Sequence, residues 1–204
     1  MQWLKNVWYL VLHPFAEFAS GNWDASMTKA MIGIGVFCND RDIFERAVRY
    51  YVDGPGNGRL THLIINEDGQ GQESGRAQSY AQLGIGCLAE SAQIAWSQGV
   101  DLWGHHSNRL LKGFEYTARY NLGETDPAIT PPAYVDYVDR TAILDYSHWP
   151  NFSTERQDRG EWKPTYEIAY NHYVKRMGLA APYTTQVATL NRPEGCYILC
   201  QDTD

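Results

Sequence analysis

Apolar residues recur at helical spacing along most of this chain, and strand-like alternation is rare. In residues 3–19, Trp3, Val7, Leu10, Val11 and Phe15 recur at three and four, which predicts an amphipathic helix that Pro14 kinks or interrupts. Ser20-Gly21-Asn22 breaks the pattern. Asp24 then reads as the N-cap of a second helix through Met27, Met31, Ile34 and Phe37. Asn39-Asp40 turns the chain into a third helix, Arg41 to about Val52, with Ile43, Phe44, Ala47, Val48 and Tyr51 as its inner face. The run Gly54-Pro55-Gly56-Asn57-Gly58 predicts a loop.

The stretch from Gln70 to Trp96 is the most informative. It opens with polar residues spaced by glycine and passes into a stripe of Leu83, Leu88, Ala92 and Ala95, which predicts a long helix from about Glu73. On such a helix Gln72, Arg76 and Tyr80, four residues apart, share one face. Gln98-Gly99 ends it, and another helix runs from about Ser107 to Tyr120, closed by Asn121 and Gly123. Glu124 to Pro164 has no sustained period and reads as a functional or poorly ordered loop. A last helix spans roughly Thr165 to Met177, with Ile168, Ala169, Tyr173 and Val174 inward. The tail from Tyr183 to Cys200 holds two short β-like runs at most. Helix pairs joined by short turns, without a heptad register, predict a single all-α domain built as an α-solenoid or an α/α toroid.

Composition narrows the functions. A net charge of -7 with no basic run excludes nucleic acid as a partner, and it does not advertise a polyanionic substrate either. No stretch approaches the ~18 apolar residues of a membrane span. The apolar N-terminal run lacks the charged region and cleavage site of a signal peptide. Aromatic residues make up 13%, with 7 Trp and 14 Tyr, which suits a ring-rich core or a carbohydrate-stacking surface to which Trp23, Trp103 or Trp149 would contribute. Cys38 and Cys87 sit in apolar helical patterns and read as small core residues. Cys196 and Cys200 are free to pair, though nothing in the sequence forces it, and no zinc-ligand spacing accompanies them.

Three polar clusters stand at helix ends: Gly21-Asn22-Trp23-Asp24; Gln70 to Tyr80; and a divided group of Asn108-Arg109 and Glu115-Tyr116-Thr117 with Arg159-Gly160, Tyr166-Glu167 and Tyr170-Asn171-His172-Tyr173. Polar side chains are costly to bury without partners, so a helix start crowded with Gln, Glu and Arg is either a local cap with a Glu73–Arg76 pair or the floor of a polar ligand site. His105 and His106 are adjacent and point apart, which suits no metal site. His62 and His148 lie in predicted loops, within reach of a ligand.

In this order GNWD, the GPGNG loop, QESGRAQ followed by AQLGIG, NRLLKGFEYTARYNLG and the late YNHY resemble the alginate lyase family of polysaccharide lyases, over about Asn22 to Tyr173. The resemblance implies an α/α toroid and β-elimination on an acidic polysaccharide, with no cofactor or metal required and with secretion or a periplasmic location. It implies that Asn22, Gln72, Glu73, Arg76, Asn108 and Arg109 bind substrate, and that Tyr80, Tyr166 or His172 moves protons. Two positions depart from the family pattern: Ala77 stands where Asp is common, and Tyr80 where His is frequent. The domain is expected to lack the helices that precede the first motif in the family, leaving the toroid incomplete. The alternatives are a glycoside hydrolase using Glu73 with Asp24 or Glu167, and a sugar-binding remnant without catalysis.

Overall fold

The computed structural model describes residues 1–138, 150–152 and 158–192. Trp149, His148 and the Cys196–Cys200 question lie outside them. The described residues form helices, turns and isolated bridges, with no β-strand, so the chain is all-α.

A π-helical turn, Leu4–Trp8, runs into α1 (Tyr9–Leu12), followed by α2 (Gly21–Phe37), α3 (Arg41–Asp53), the single turn α4 (Leu60–Leu63), α5 (Gln78–Trp96) and α6 (His105–Leu122). After the long connection, α7 (Thr165–Ala169) continues as a π-helix, Tyr170–Arg176, and α8 is Pro182–Asn191. The third helix matches its pattern closely. Asp40 caps it by accepting from the Ile43 N–H at 3.2 Å, and Ile43, Ala47 and Tyr51 face the core.

Two antiparallel hairpins make the frame. In one, Gly35 of α2 meets Phe44 of α3 and Asp24 meets Tyr50. A Cβ on Gly35 would lie 2.6 Å from the Phe44 nitrogen, so glycine is what lets these helices cross so tightly. In the other, Gly113 of α6 lies against Ile85 of α5 and Asn121 against Gln78. α2 and α5 run parallel, bound midway by Lys29–Glu90 at 2.6 Å. Parallel first helices in two hairpins bring the N-termini of α2 and α5 and the C-termini of α3 and α6 to one end of the molecule. Met31, Ile32, Ile85 and Leu88 fill the seam, fully buried. Each such side chain is worth about 1.5–3 kcal/mol of transfer free energy.

Several expectations need correcting. Trp3, Val7, Leu10 and Val11 face solvent, with Leu10 59% exposed; only Phe15 of that stripe is in the core. Periodicity reveals that a helix has an apolar face, not what covers it. The long helix begins at Gln78 rather than Glu73, because residues 71–76 form successive turns, Ser74 N–H to Gly71 C=O and Arg76 N–H to Glu73 C=O. Leu83 is largely exposed, while Leu88, Ala92 and Ala95 are buried as expected. The tail is helical up to Asn191: Pro182 stands in its first turn, and Thr184, Val187 and Ala188 pack inward despite their strand propensity. In α6 the residues His106 to Asn108 are left-handed, with φ near 51°, 56° and 58°, so its right-handed turns begin at Arg109.

Asp24 is no cap. Ser20 holds that position, and the buried Asp24 carboxylate accepts from the Ala16 N–H (2.9 Å), the Gly58 N–H (2.8 Å) and the Tyr50 hydroxyl (2.9 and 3.0 Å). The start of the long connection is also tied down. Gln70 donates to the Val135 carbonyl and accepts from its N–H, both at 2.8 Å, as a neighbouring strand would.

Candidate active site

The polar end of the frame is built around Glu73. It belongs to the turn before α5, yet its Oε2 accepts from the Asn22 N–H, 3.2 Å away, in the first turn of α2. The Ser20 side chain does not cap α2, so Glu73 serves as an acceptor from outside the helix, where the free N–H groups and the helix dipole favour negative charge. Arg76 donates to Glu73 Oε1 at 2.5 Å and to Ser20 Oγ at 3.3 Å. Ser20 Oγ in turn donates to Asn22 Oδ1 at 3.0 Å.

Burial decides the electrostatics. Glu73 is 3% exposed, and loss of water pushes its carboxyl up to about 7 even though Arg76 and the Asn22 N–H pull the other way. Near neutral pH it is therefore divided between carboxylate and acid. Asn22 is 1% exposed; its Oδ1 accepts from Ser20 and from the Trp23 N–H, while its Nδ2 has no partner among the described residues. An unpartnered buried amide donor costs stability, which points to a ligand acceptor. Gln72 is buried beside it, donating to the Asn57 and His62 carbonyls at 2.7 and 3.1 Å, with its Oε1 also unpartnered. A Cβ on Gly21 would lie 2.6 Å from the Gln72 amide nitrogen and displace the side chain that holds the Asn57 carbonyl.

Tyr80 completes the cluster. It is 40% exposed, and the Arg76 guanidinium lies over its ring at 4.1 Å. The two do not share a helical face, since α5 starts between them; the turn at residues 73–76 folds Arg76 back onto the ring. Asn22, Gln72, Glu73, Arg76 and Tyr80 thus come together.

Other named residues lie elsewhere. Tyr166 is fully buried against Phe114 and Trp162, and burial raises its hydroxyl above the usual range. His172 stacks on Trp103 at 4.5 Å and meets Trp96 edge-on, and its Nδ1 is 3.1 Å from Arg176. Burial, helped by Arg176, lowers it to about 4. Trp96 ends α5, so His172 is roughly 24 Å along that helix from Tyr80, at 1.5 Å per residue. Arg109 pairs with Glu67, which also holds Lys112 at 2.6 Å. Asn108 precedes Arg109 in the left-handed turn. Both stand roughly 18 Å along α6 from Asn121, which marks the polar end. Trp103 is buried. His62 holds the Gly56 carbonyl at 2.8 Å.

A hydrolase would need two open carboxylates facing each other. Asp24 is engaged by three donors and Glu167 pairs with Arg192 at 3.0 Å, so neither carboxylate is open. Among the described residues no three His, Cys, Asp or Glu side chains gather as a metal site requires.

Sequence reasoning missed the frame around the cluster. Ser79 donates to Asp158, Asn121 joins Gln78 to the Gly160 N–H, and Gln82 donates to the Glu161 carbonyl at 2.7 Å. The sequence marked that segment only through Arg159-Gly160, as part of a divided polar group, with no clue to what it docks on. Ser20, beside the GNWD motif, was within reach of the same reasoning.

Comparison with known proteins adds one finding. Searches of curated proteins and of solved structures returned no match. The family model for alginate lyase matches residues 1–128, more than half of the 204, and this segment holds every member of the Asn22–Tyr80 cluster. On that match the chain belongs to the alginate lyase family.

Proposed function

We propose that this chain is a polysaccharide lyase that cleaves alginate or a related polyuronate by β-elimination at the Asn22–Tyr80 cluster. The observation that carries it is the convergence of an unpartnered buried amide, a half-neutral carboxyl, a guanidinium and an accessible tyrosine at one pair of helix N-termini.

The reaction has three needs. The uronate carboxylate must be neutralised, so that the hydrogen on C5 becomes acidic. A base must remove that proton; the electron pair left on C5 forms the C4=C5 bond as the C4–O4 bond breaks; and O4 must gain a proton. Asn22 Nδ2 donates to the carboxylate, and Glu73 in its acid form donates beside it. Arg76 holds Glu73 and places positive charge over the Tyr80 ring. The Tyr80 oxygen, deprotonated, takes the C5 proton, and the phenol so formed returns that proton to O4. Tyr80 thereby assumes the role that the family often gives to His. Tyr166 and His172, both buried, take no part.

The two antiparallel hairpins with parallel first helices fit one sector of an α/α toroid, whose cleft lies at the helix ends. No described helix is long and apolar enough to cross a membrane, and a polymeric acidic substrate suits action outside the cell.

The test is an absorbance assay against a panel of polyuronates. A lyase leaves a C4=C5 double bond that absorbs in the near ultraviolet. New reducing ends without that absorbance indicate hydrolysis, and neither signal leaves a binder; either result sinks the proposal.

A further inference from the structure

Trp23 is out of place for a residue in the first turn of a buried helix. Gly21, Asn22, Asp24 and Ala25 are buried around it, while Trp23 is 58% exposed. An indole left in water forgoes the burial that aromatic rings otherwise gain. Trp96, Trp103 and Trp162 each pack on other rings, but the Trp23 ring has no aromatic, cationic or hydrogen-bonding partner among the described residues. Its backbone is nonetheless fixed: the Trp23 N–H donates to Asn22 Oδ1 at 2.9 Å and to the Ser20 carbonyl at 3.1 Å.

Two successive residues therefore offer complementary features. Asn22 has a buried, unpartnered amide donor, and Trp23 a broad apolar plate held in solvent. Neighbouring residues of a helix point apart, so successive rings of one oligosaccharide match them: an edge oxygen of one ring for the amide, the C–H face of the next for the indole. We propose that Trp23 is a stacking platform for a substrate sugar ring, adjoining the ring whose carboxylate Asn22, Glu73 and Arg76 receive. The second half of that statement rests on the lyase reading above. A stack of this kind is made equally before and during bond cleavage, so it sets how tightly substrate is held rather than how fast the bond breaks. It is also indifferent to the sugar's charge.

The test uses Tyr80→Phe protein as a non-turning-over trap, with calorimetric binding of an oligomannuronate tetrasaccharide and of its carboxyl-reduced, neutral counterpart. Adding Trp23→Ala is expected to weaken both by roughly tenfold, the effect of an aromatic anchor, while Trp23→Phe stays within about threefold. In the Tyr80 protein, Trp23→Ala raises KM by a similar factor with kcat within about twofold. Trp23→Leu against Trp23→Phe repeats the contrast if the alanine variant folds poorly. Equal affinities with and without the ring overturn the platform. So does a loss confined to the acidic ligand, which would mark a charge contact instead. Failure of the trap to bind either oligosaccharide also overturns it, by removing the ligand. The lyase reading fails separately, if intact protein yields no near-ultraviolet product while Trp23-dependent binding persists.

Discussion

The two ends of α5 each hold a titratable side chain that burial drives toward its neutral form, and they do so for different purposes. At the N-terminal end Glu73 is pushed up to about 7, and at the C-terminal end His172 is pushed down to about 4. Around His172 the space is closed by Trp96, Trp103 and Tyr173, and Arg176 meets its Nδ1. Around Glu73 stand Asn22, whose Nδ2 is unpartnered among the described residues, and Arg76, which lies over the accessible Tyr80 ring. A shifted pKa alone therefore does not mark a site. What separates the two ends is access: Trp103 and Tyr173 beside His172 are fully buried, whereas Tyr80 beside Arg76 is open to solvent.

The strongest way to break this contrast is Tyr80→Phe. It should lower turnover by about a thousandfold, within the range for removing a general base or acid, with the melting temperature nearly unchanged. Near-ultraviolet product formation and a thermal melt measure the two, and a retained rate removes Tyr80 from the chemistry. The next largest effect belongs to the other end. His172→Ala opens a cavity among stacked rings and should cost about 3 kcal/mol of stability in denaturant unfolding, while turnover of the folded fraction stays within about twofold. A selective collapse of kcat in a well-folded His172→Ala protein would instead return His172 to the site.

pH sharpens the comparison further. The folded-state pKa of Glu73 is raised, so its contribution to stability is fully present below about pH 4.5 and is lost as pH rises through about 7. That loss is on the order of 3 kcal/mol. The pKa of His172 is lowered, so its contribution is present above about 6.5 and is lost as pH falls toward about 4. The two oppose each other over nearly the same window and flatten the profile. Glu73→Gln should unmask a fall in stability on the acid side, and His172→Phe a fall on the neutral side, read from unfolding midpoints across pH 4 to 8. Under the proposed mechanism, in which the acid form of Glu73 is the donor, kcat/KM should decline as pH rises through about 7, and Glu73→Gln should remove that limb. The smallest effect is expected at the Arg109 corner. Glu67 is mostly exposed, and Glu67→Gln should alter turnover by less than about twofold. A tenfold loss would draw Arg109 into substrate binding.

The sequence made α3 legible because a cap, a period and a loop agreed there: Asp40, then Ile43, Ala47 and Tyr51, then the Gly54–Gly58 run. It made most of the cluster legible too, since Asn22, Glu73, Arg76 and Tyr80 lie in two short motifs. How they meet was not legible. Helical spacing put Gln72, Arg76 and Tyr80 on one face, whereas turns at residues 71–76 and a cross-helix bond from the Asn22 N–H to Glu73 bring the groups together. That Tyr166 and His172 lie buried away from the cluster was not legible for a related reason. A tyrosine or histidine in a polar-looking motif has the same letters whether its ring is packed in a core or open to a ligand. The exposed stripe of α1 and the helical tail at Pro182 were set by tertiary surroundings that local pattern does not encode.

The three bonds received by Asp24 have a consequence for how this end of the protein fluctuates. Ala16, Gly58 and Tyr50 belong to three separate segments, yet none can leave the carboxylate without exposing a charge that the other two help to solvate. The Ala16 and Gly58 amides should therefore exchange with deuterium at matched rates, opening as one cooperative unit rather than as frayed loops. The ground beneath Asn22 would then open only as a whole, and under the proposed function adjustment to a sugar ring falls to the side chains above it.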